Sequence, residues 1–146
     1  MLTRLSDNQG SVNAIWVSGS DVYAVGYEYL GGGIVARIWK NGVGTFLTNN
    51  GSDANSLFIS GNDIYIGGYE SDGIKAIPKI WKNGVPTILA NNDKAASVMS
   101  IYVLGSIVYS TMIWATILQM RSQKFYRLYG SLNQLKRILF QVLIIF

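Results

Sequence analysis

The sequence contains no cysteine and no histidine. The first absence excludes a disulfide framework and a thiolate metal site, and is compatible with an oxidising compartment without requiring one. The second removes the commonest general base and the commonest transition-metal ligand. Proline occurs only at Pro78 and Pro86. Acid is scarce as well, with 8 Asp and Glu against 12 Lys and Arg in 146 residues. All eight acids and seven of the bases lie in residues 1–110, a net charge of −1. Residues 111–146 hold Arg121, Lys124, Arg127, Lys136 and Arg137 and no acid, a net charge of +5. The basic balance therefore belongs to the tail, and nucleic acid is not expected as a partner of the remainder. Glycine thins out at the same point, with 15 of 16 before residue 111. The N-terminus is polar from Thr3 onward and shows no basic region leading into an apolar one, so no signal peptide is read there. These residues leave the compartment unassigned, and a secreted or cell-surface location for a longer parent stays open.

What is present is a repeat. Trp39-Lys40-Asn41-Gly42 returns letter for letter as Trp81-Lys82-Asn83-Gly84, 42 residues later. Residues 13–47 align with residues 55–89 without a gap, and 17 of the 35 positions are identical. A third copy starts at Ser100-Ile101-Tyr102-Val103-Leu104-Gly105, displaced by 44 residues from its counterpart, and fades after Tyr109. Thr3-Arg4-Leu5 stands 42 residues before Thr45-Phe46-Leu47, as half a copy ahead of the first. The units are residues 1–12 (the end of one), 13–54, 55–98 and 99–109 (the start of another), followed by a non-repeat tail, 110–146.

Each full copy reads as four short strands. Asn13–Val17 and Val22–Val25 flank Ser18-Gly19-Ser20-Asp21, where glycine tolerates positive φ and the aspartate can bond its own turn. Ala36–Lys40 and Val43–Leu47 flank Asn41-Gly42, the strongest short signal for a type I′ hairpin. Four strands in about 40–50 residues is the period of a β-propeller blade. The expectation is an all-β chain forming a partial β-propeller: about two complete four-stranded blades plus two partial ones. Ile15, Val17, Val22, Ile38 and Trp39 are expected in the cores between blades, with Leu57, Ile59, Ile64, Ile80 and Trp81 as counterparts. Closed propellers have 4–8 blades, so this number cannot close alone.

Asp21-Val22-Tyr23-Ala24-Val25-Gly26-Tyr27-Glu28 and Asp63-Ile64-Tyr65-Ile66-Gly67-Gly68-Tyr69-Glu70 resemble the kelch segment in which an apolar strand runs into a glycine pair, with tryptophan further on. They look still more like bacterial repeat proteins that pair an SG-x-D-(V/I)-Y hairpin with a WKNG hairpin. The likeness covers residues 1–109 and departs from kelch at Val25, where the pattern has glycine. It implies a propeller with a binding or scaffold habit, and no reaction.

The tail breaks the pattern at Ser110-Thr111-Met112-Ile113-Trp114. A shifted reading frame is one hypothesis for the break: in the frame that takes the third base of each codon first, Met112-Ile113 must encode aspartate and Trp114-Ala115 glycine. As written, Leu132, Leu135, Ile138, Leu139 and Val142 recur at helical spacing, so a C-terminal helix is expected. Its basic residues suit a membrane-surface helix over 132–146, weighed against an apolar helix lying on an open blade face.

The face carrying the loops after each second strand holds the candidate binding residues: Tyr27, Glu28, Tyr29, Asn49 and Asn50, then Tyr69, Glu70, Asp72, Asn91 and Asn92. Tyrosines, carboxylates and amides in a ring suit a carbohydrate or a peptide. The alternative is that the tyrosines finish their strands and the acids are solvated. Lys40 and Lys82 are expected in solvent. No catalytic residue, metal site or cofactor is read. The expected function is a non-catalytic binding or scaffold module. The alternatives are a fragment of a propeller hydrolase or lyase whose active site lies elsewhere, and a truncated product that self-associates through open blade edges.

Overall fold

Apolar, β-branched stretches alternate with glycine-bearing turns along the repeats, and the chain folds on that rhythm. The computed structural model describes residues 4–90 and 93–114, and the backbone of 141–145. Among these, every regular element is a β-strand. Strands β1 (Gly10–Ser18), β2 (Asp21–Leu30), β3 (Gly33–Lys40) and β4 (Val43–Phe46) form an antiparallel meander in the order β1-β2-β3-β4. Strands β5 (Ser52–Ser60), β6 (Asp63–Ser71), β7 (Ala76–Lys82) and β8 (Val85–Ile88) repeat it. In the third sheet β9 (Ala96–Leu104) pairs with β10 (Ile107–Trp114), and β11 (Gln141–Ile145) pairs along the far side of β10. The chain is thus all-β, with two complete four-stranded units and a third, smaller sheet. Strand β10 continues to Trp114, beyond the point at which the repeat signal fades. The expected helix of the tail falls mostly outside the described residues; within it, 141–145 are extended.

The turns are built as their residues require. Asn41 and Asn83 take φ of 51° and 52°, followed by positive φ at Gly42 and Gly84, the conformation of a type I′ hairpin. Asp21 and Asp63, expected to bond their own turns, instead reach across the sheet. The Asp21 Oδ2 atom pairs with Lys40 Nζ at 2.8 Å, and its Oδ1 accepts from Asn41 Nδ2 at 2.8 Å. The Asn41 Oδ1 in turn accepts the Val22 N–H at 2.9 Å. Asp63, Lys82, Asn83 and Ile64 reproduce this set. Lys40 and Lys82 are exposed, as expected, and also take part in the sheet. Each clasps the first hairpin of its sheet to the second and lies over a tyrosine ring, Tyr23 or Tyr65.

The first strand of each sheet carries a bulge. The pairing register shifts between Val12 and Ala14, and between Ala54 and Ser56, leaving Asn13 and Asn55 unpaired. The corresponding shift in the third sheet falls at Met99, since Thr111 faces Ser100 while Met112 faces Val98. Opposite the bulge the first two sheets leave room only for glycine, although the third holds Met112 there: a Cβ on Gly26 would lie 1.9 Å from the Ser11 carbonyl oxygen, and one on Gly68 1.9 Å from that of Asp53. The freed asparagines stitch sheet to sheet. Asn13 Nδ2 donates to the Ala54 carbonyl at 3.0 Å and to Asp53 Oδ1 at 2.8 Å. Asn55 Nδ2 donates to the Val98 carbonyl and to Ser97 Oγ, both at 2.8 Å.

Pro78 lies inside β7. Its counterpart Ala36 explains why. Strand β4 ends at Phe46, so the buried Ala36 N–H has no strand beside it and donates to Ser52 Oγ of the next sheet at 2.8 Å. A residue without an N–H suits that position.

The sheets stack on two apolar layers. In the first, Tyr23, Val25 and Ala36 meet Leu57, Ile66 and Trp81; in the second, Tyr65 and Ile80 meet Val98, Ile101 and Val103. Each sheet thus turns one set of positions to the sheet before it and another to the sheet after. This corrects the expected core. Ile15 is 66% and Val17 64% exposed, and Val22 is exposed as well, whereas Leu57, the counterpart of Ile15, is 7% exposed. Among the described residues only the segment around Leu5 to Asn8 lies on the face of the first sheet that corresponds to the one the second sheet buries against it. Trp16, Phe58 and Tyr102 occupy one repeat position and form an aromatic ladder across the three sheets, with ring centroids 4.8 Å and 5.1 Å apart.

Candidate functional site

The predicted site residues lie toward the end of each sheet opposite the aspartate–lysine clasps. Glu28 and Glu70 sit near the ends of β2 and β6. Neither is the solvated acid that the bland reading had it be. Glu28 is 1% exposed and ion-paired through Oε2 with Arg37. Glu70 pairs with Lys79, and its Oε1 accepts from Thr48 Oγ1 at 2.8 Å and Asn50 Nδ2 at 2.6 Å. Burial pushes both pKa values up, but the hydrogen bonds and the paired cations outweigh it and hold both carboxyls below their usual range. Arg37 and Lys79 were missed from sequence. The available signal was a cation at one repeat position, directly opposite Gly26 and Gly68 in the β2–β3 and β6–β7 pairings.

Of the other candidates, Asp72 organises its own turn, its Oδ1 accepting the N–H groups of Ile74 and Lys75 at 2.9 Å and 2.8 Å. Asn49 and Asn50 are exposed, and Asn50 alone is tied down, to Glu70. Asn91 and Asn92 lie outside the described residues. Tyr27 and Tyr29 meet edge to face with centroids 5.6 Å apart. Tyr27 and Tyr69 are both half-buried beside Asp53, a residue the site prediction omitted. Burial and the Asp53 charge raise the pKa of Tyr69, and burial leads the rise at Tyr27 too, with Tyr29 and then Asp53 adding to it. Burial likewise raises the pKa of Asp53, although the Ala54 N–H and the Asn13 amide partly offset it. The structure thus brings Tyr27 and Tyr69 to one carboxylate at the seam between the first two sheets, with Tyr29 against Tyr27.

A cleft of about 290 Å³ opens on the uncovered face of the first sheet, bounded by Leu5, Asn8, Val12, Glu28 and Trp39. The Glu28 Oε1 atom is buried there without a hydrogen bond, and Ser6 and Asn8, which line the cleft, join Arg37 in holding the carboxyl below its usual range. Trp39 Nε1 donates to the Leu5 carbonyl at 3.1 Å across the same space. Among the described residues, no group of three or more Asp and Glu is placed to hold a metal ion. No protein-family model matches the chain, and no characterised protein was found to be similar to it.

Proposed function

We propose that the three sheets are successive blades of a β-propeller, and that the chain is a non-catalytic binding module for a neutral glycan. The observation that carries the ligand class is the seam cluster: Tyr27 and Tyr69 beside Asp53, Tyr29 packed edge to face on Tyr27 and 51% exposed, and Asn13 steadying the carboxylate. Aromatic rings offer apolar faces to a sugar ring, and a carboxylate with an amide neighbour offers paired acceptors and donors to vicinal hydroxyls. The remaining acids favour binding over catalysis. Asp21, Glu28, Asp63 and Glu70 are each ion-paired, and Asp72 is engaged by its turn.

A glycan array followed by titration calorimetry tests the reading. Tyr29→Ala removes an exposed ring and leaves the sheets intact. Loss of one stacking contact of about 1 kcal/mol weakens binding roughly fivefold. No glycan bound by the wild-type chain, or unchanged affinity in Tyr29→Ala, refutes the assignment. A peptide array run beside it detects the competing ligand class.

A further inference from the structure

The uncovered face of the first sheet and the far face of the third are two halves of a junction that the chain already builds twice within itself. Ile15, Val17 and Val22 stand where Leu57, Ile59 and Ile64 stand in the second sheet, and those are packed against the first sheet. Glu28 and Val12 of the cleft stand where Glu70 and Ala54 stand, and Leu5, Ser6 and Asn8 line it where Leu47, Thr48 and Asn50 lie at the first junction. What the cleft lacks among the described residues is a sheet like the one whose Asn13 reaches the Ala54 carbonyl. At the other end, Tyr102 is 54% and Leu104 59% exposed. Tyr102 is the last rung of the ladder begun by Trp16 and Phe58.

We propose that the occupant of the uncovered face is a second copy of this chain, docked head to tail, with its third sheet on the first sheet of its neighbour. Such a contact places Tyr102 of one copy beside Trp16 of the next and continues the ladder at its existing spacing. It covers Ile15, Val17 and Val22 with the kind of surface that covers Leu57. A head-to-tail contact either closes into a ring or runs on as a filament. Closed propellers hold 4–8 blades. The three described sheets of one chain fall below that range, two copies give six and three copies exceed it, so the closure that fits is a two-chain ring. The contact lies on sheet faces, not on the open blade edges that the sequence reading named as an alternative. The inference shares the blade reading given above but not the ligand: a dimer that binds no glycan fails only the ligand assignment.

Sedimentation analysis of the full chain and of two variants decides it. The wild type is expected at twice the 16.1 kDa chain mass. Ile15→Asp breaks one face and Tyr102→Asp the other. Both positions are exposed in the single chain, so circular dichroism is expected to stay that of a β protein. Each variant alone sediments as a monomer, its self-association weakened at least tenfold. Mixing the two restores a heterodimer through the one intact junction. A monomeric wild type overturns the proposal. So does a dimer that survives Tyr102→Asp, because that would join like faces. A mass that keeps growing with concentration overturns the closed ring.

Discussion

The pairing of Ala36 with Ser52 provides a test of how the sheets are joined. At the first junction the Ala36 N–H, fully buried, has the Ser52 hydroxyl as its acceptor at 2.8 Å. At the second junction the same two repeat positions hold Pro78, which has no N–H, and Ala96, which has no hydroxyl. Both of those residues are buried as well. Donor and acceptor are thus lost together, and neither junction keeps an orphaned group. Ser52→Ala leaves the Ala36 N–H buried without an acceptor, at a cost of about 2 kcal/mol within the usual 1–3 range. For a chain of this size that lowers Tm by roughly 4–8 °C. Ala36→Pro reproduces the second junction. It removes the donor, leaves a hydroxyl that still donates to the Asn50 carbonyl, and restricts the unfolded chain, so it is expected to be neutral or slightly stabilising. The double variant should then lie within about 1 kcal/mol of the wild type. Urea unfolding of all four proteins closes the double-mutant cycle, with an expected coupling of at least 1 kcal/mol. If Ser52→Ala costs the same with proline at position 36 as with alanine, the hydroxyl is not serving that N–H and the explanation of Pro78 fails.

Three further outcomes follow from the same geometry. Leu57→Ala should cost about 3 kcal/mol, whereas Ile15→Ala, at the same repeat position on the uncovered face, should cost under about 1 kcal/mol; denaturant melts in a Tyr102→Asp background, where association does not contribute, measure both. Gly68→Ala drives a Cβ into the Asp53 carbonyl oxygen and should destabilise by roughly 3 kcal/mol or more, detectable as a lower urea midpoint and loss of the Asn13–Asp53 contact by NMR. Acidification should weaken the fold, because the Glu28 and Glu70 carboxyls titrate lower folded than their ordinary 4.5. Their contribution is complete above that value and is lost as pH falls through the folded values. Asp53, raised by burial, opposes this, its strain easing as it protonates. A Tm–pH profile should drop below about pH 4.5 in the wild type and less steeply in Glu70→Gln.

The hairpins were legible in sequence because their causes are local. Asn-Gly demands positive φ at two adjacent positions, and the structure supplies it at Asn41-Gly42 and Asn83-Gly84. The period and the number of strands follow from the same local signals. Burial was not legible, because Ile15 and Leu57 have the same chemistry and the same place in the repeat. What separates them is the presence of a neighbouring sheet, which no window of sequence contains. The partners of Asp21 were misread for a related reason: Lys40 and Asn41 lie about twenty residues away and come beside it only through the β2–β3 pairing. Asn13 carried a readable signal, since it recurs as Asn55 directly ahead of the apolar run, but a bulge and its glycine partner are defined by pairing across two strands. The seam cluster joins Tyr27 of one repeat to Asp53 and Tyr69 of the next, and a reading taken one repeat at a time divides it.

Two polar devices recur in both full repeats, at opposite ends of the second strand. At its start, Asp21 with Lys40 and Asn41, and Asp63 with Lys82 and Asn83, tie hairpin to hairpin. Near its end, Glu28 with Arg37 and Glu70 with Lys79 tie the second strand to the third. Both devices act within one sheet. The contacts between sheets are apolar layers with a bulged asparagine at each seam; Tyr23 and Tyr65 recur there unchanged, while other positions vary: Trp16 against Phe58, Ala24 against Ile66, Val25 against Gly67. The third sheet shows the division most plainly. Ile107 stands at the aspartate position and Trp114 at the glutamate position, so among the described residues it has neither device. It nonetheless keeps Val98, Ile101 and Val103 buried against the second sheet and Tyr102 on the ladder. Stacking therefore depends on the apolar layers and not on the polar locks, which is why an uncovered face with its apolar positions intact is a surface competent to receive another sheet.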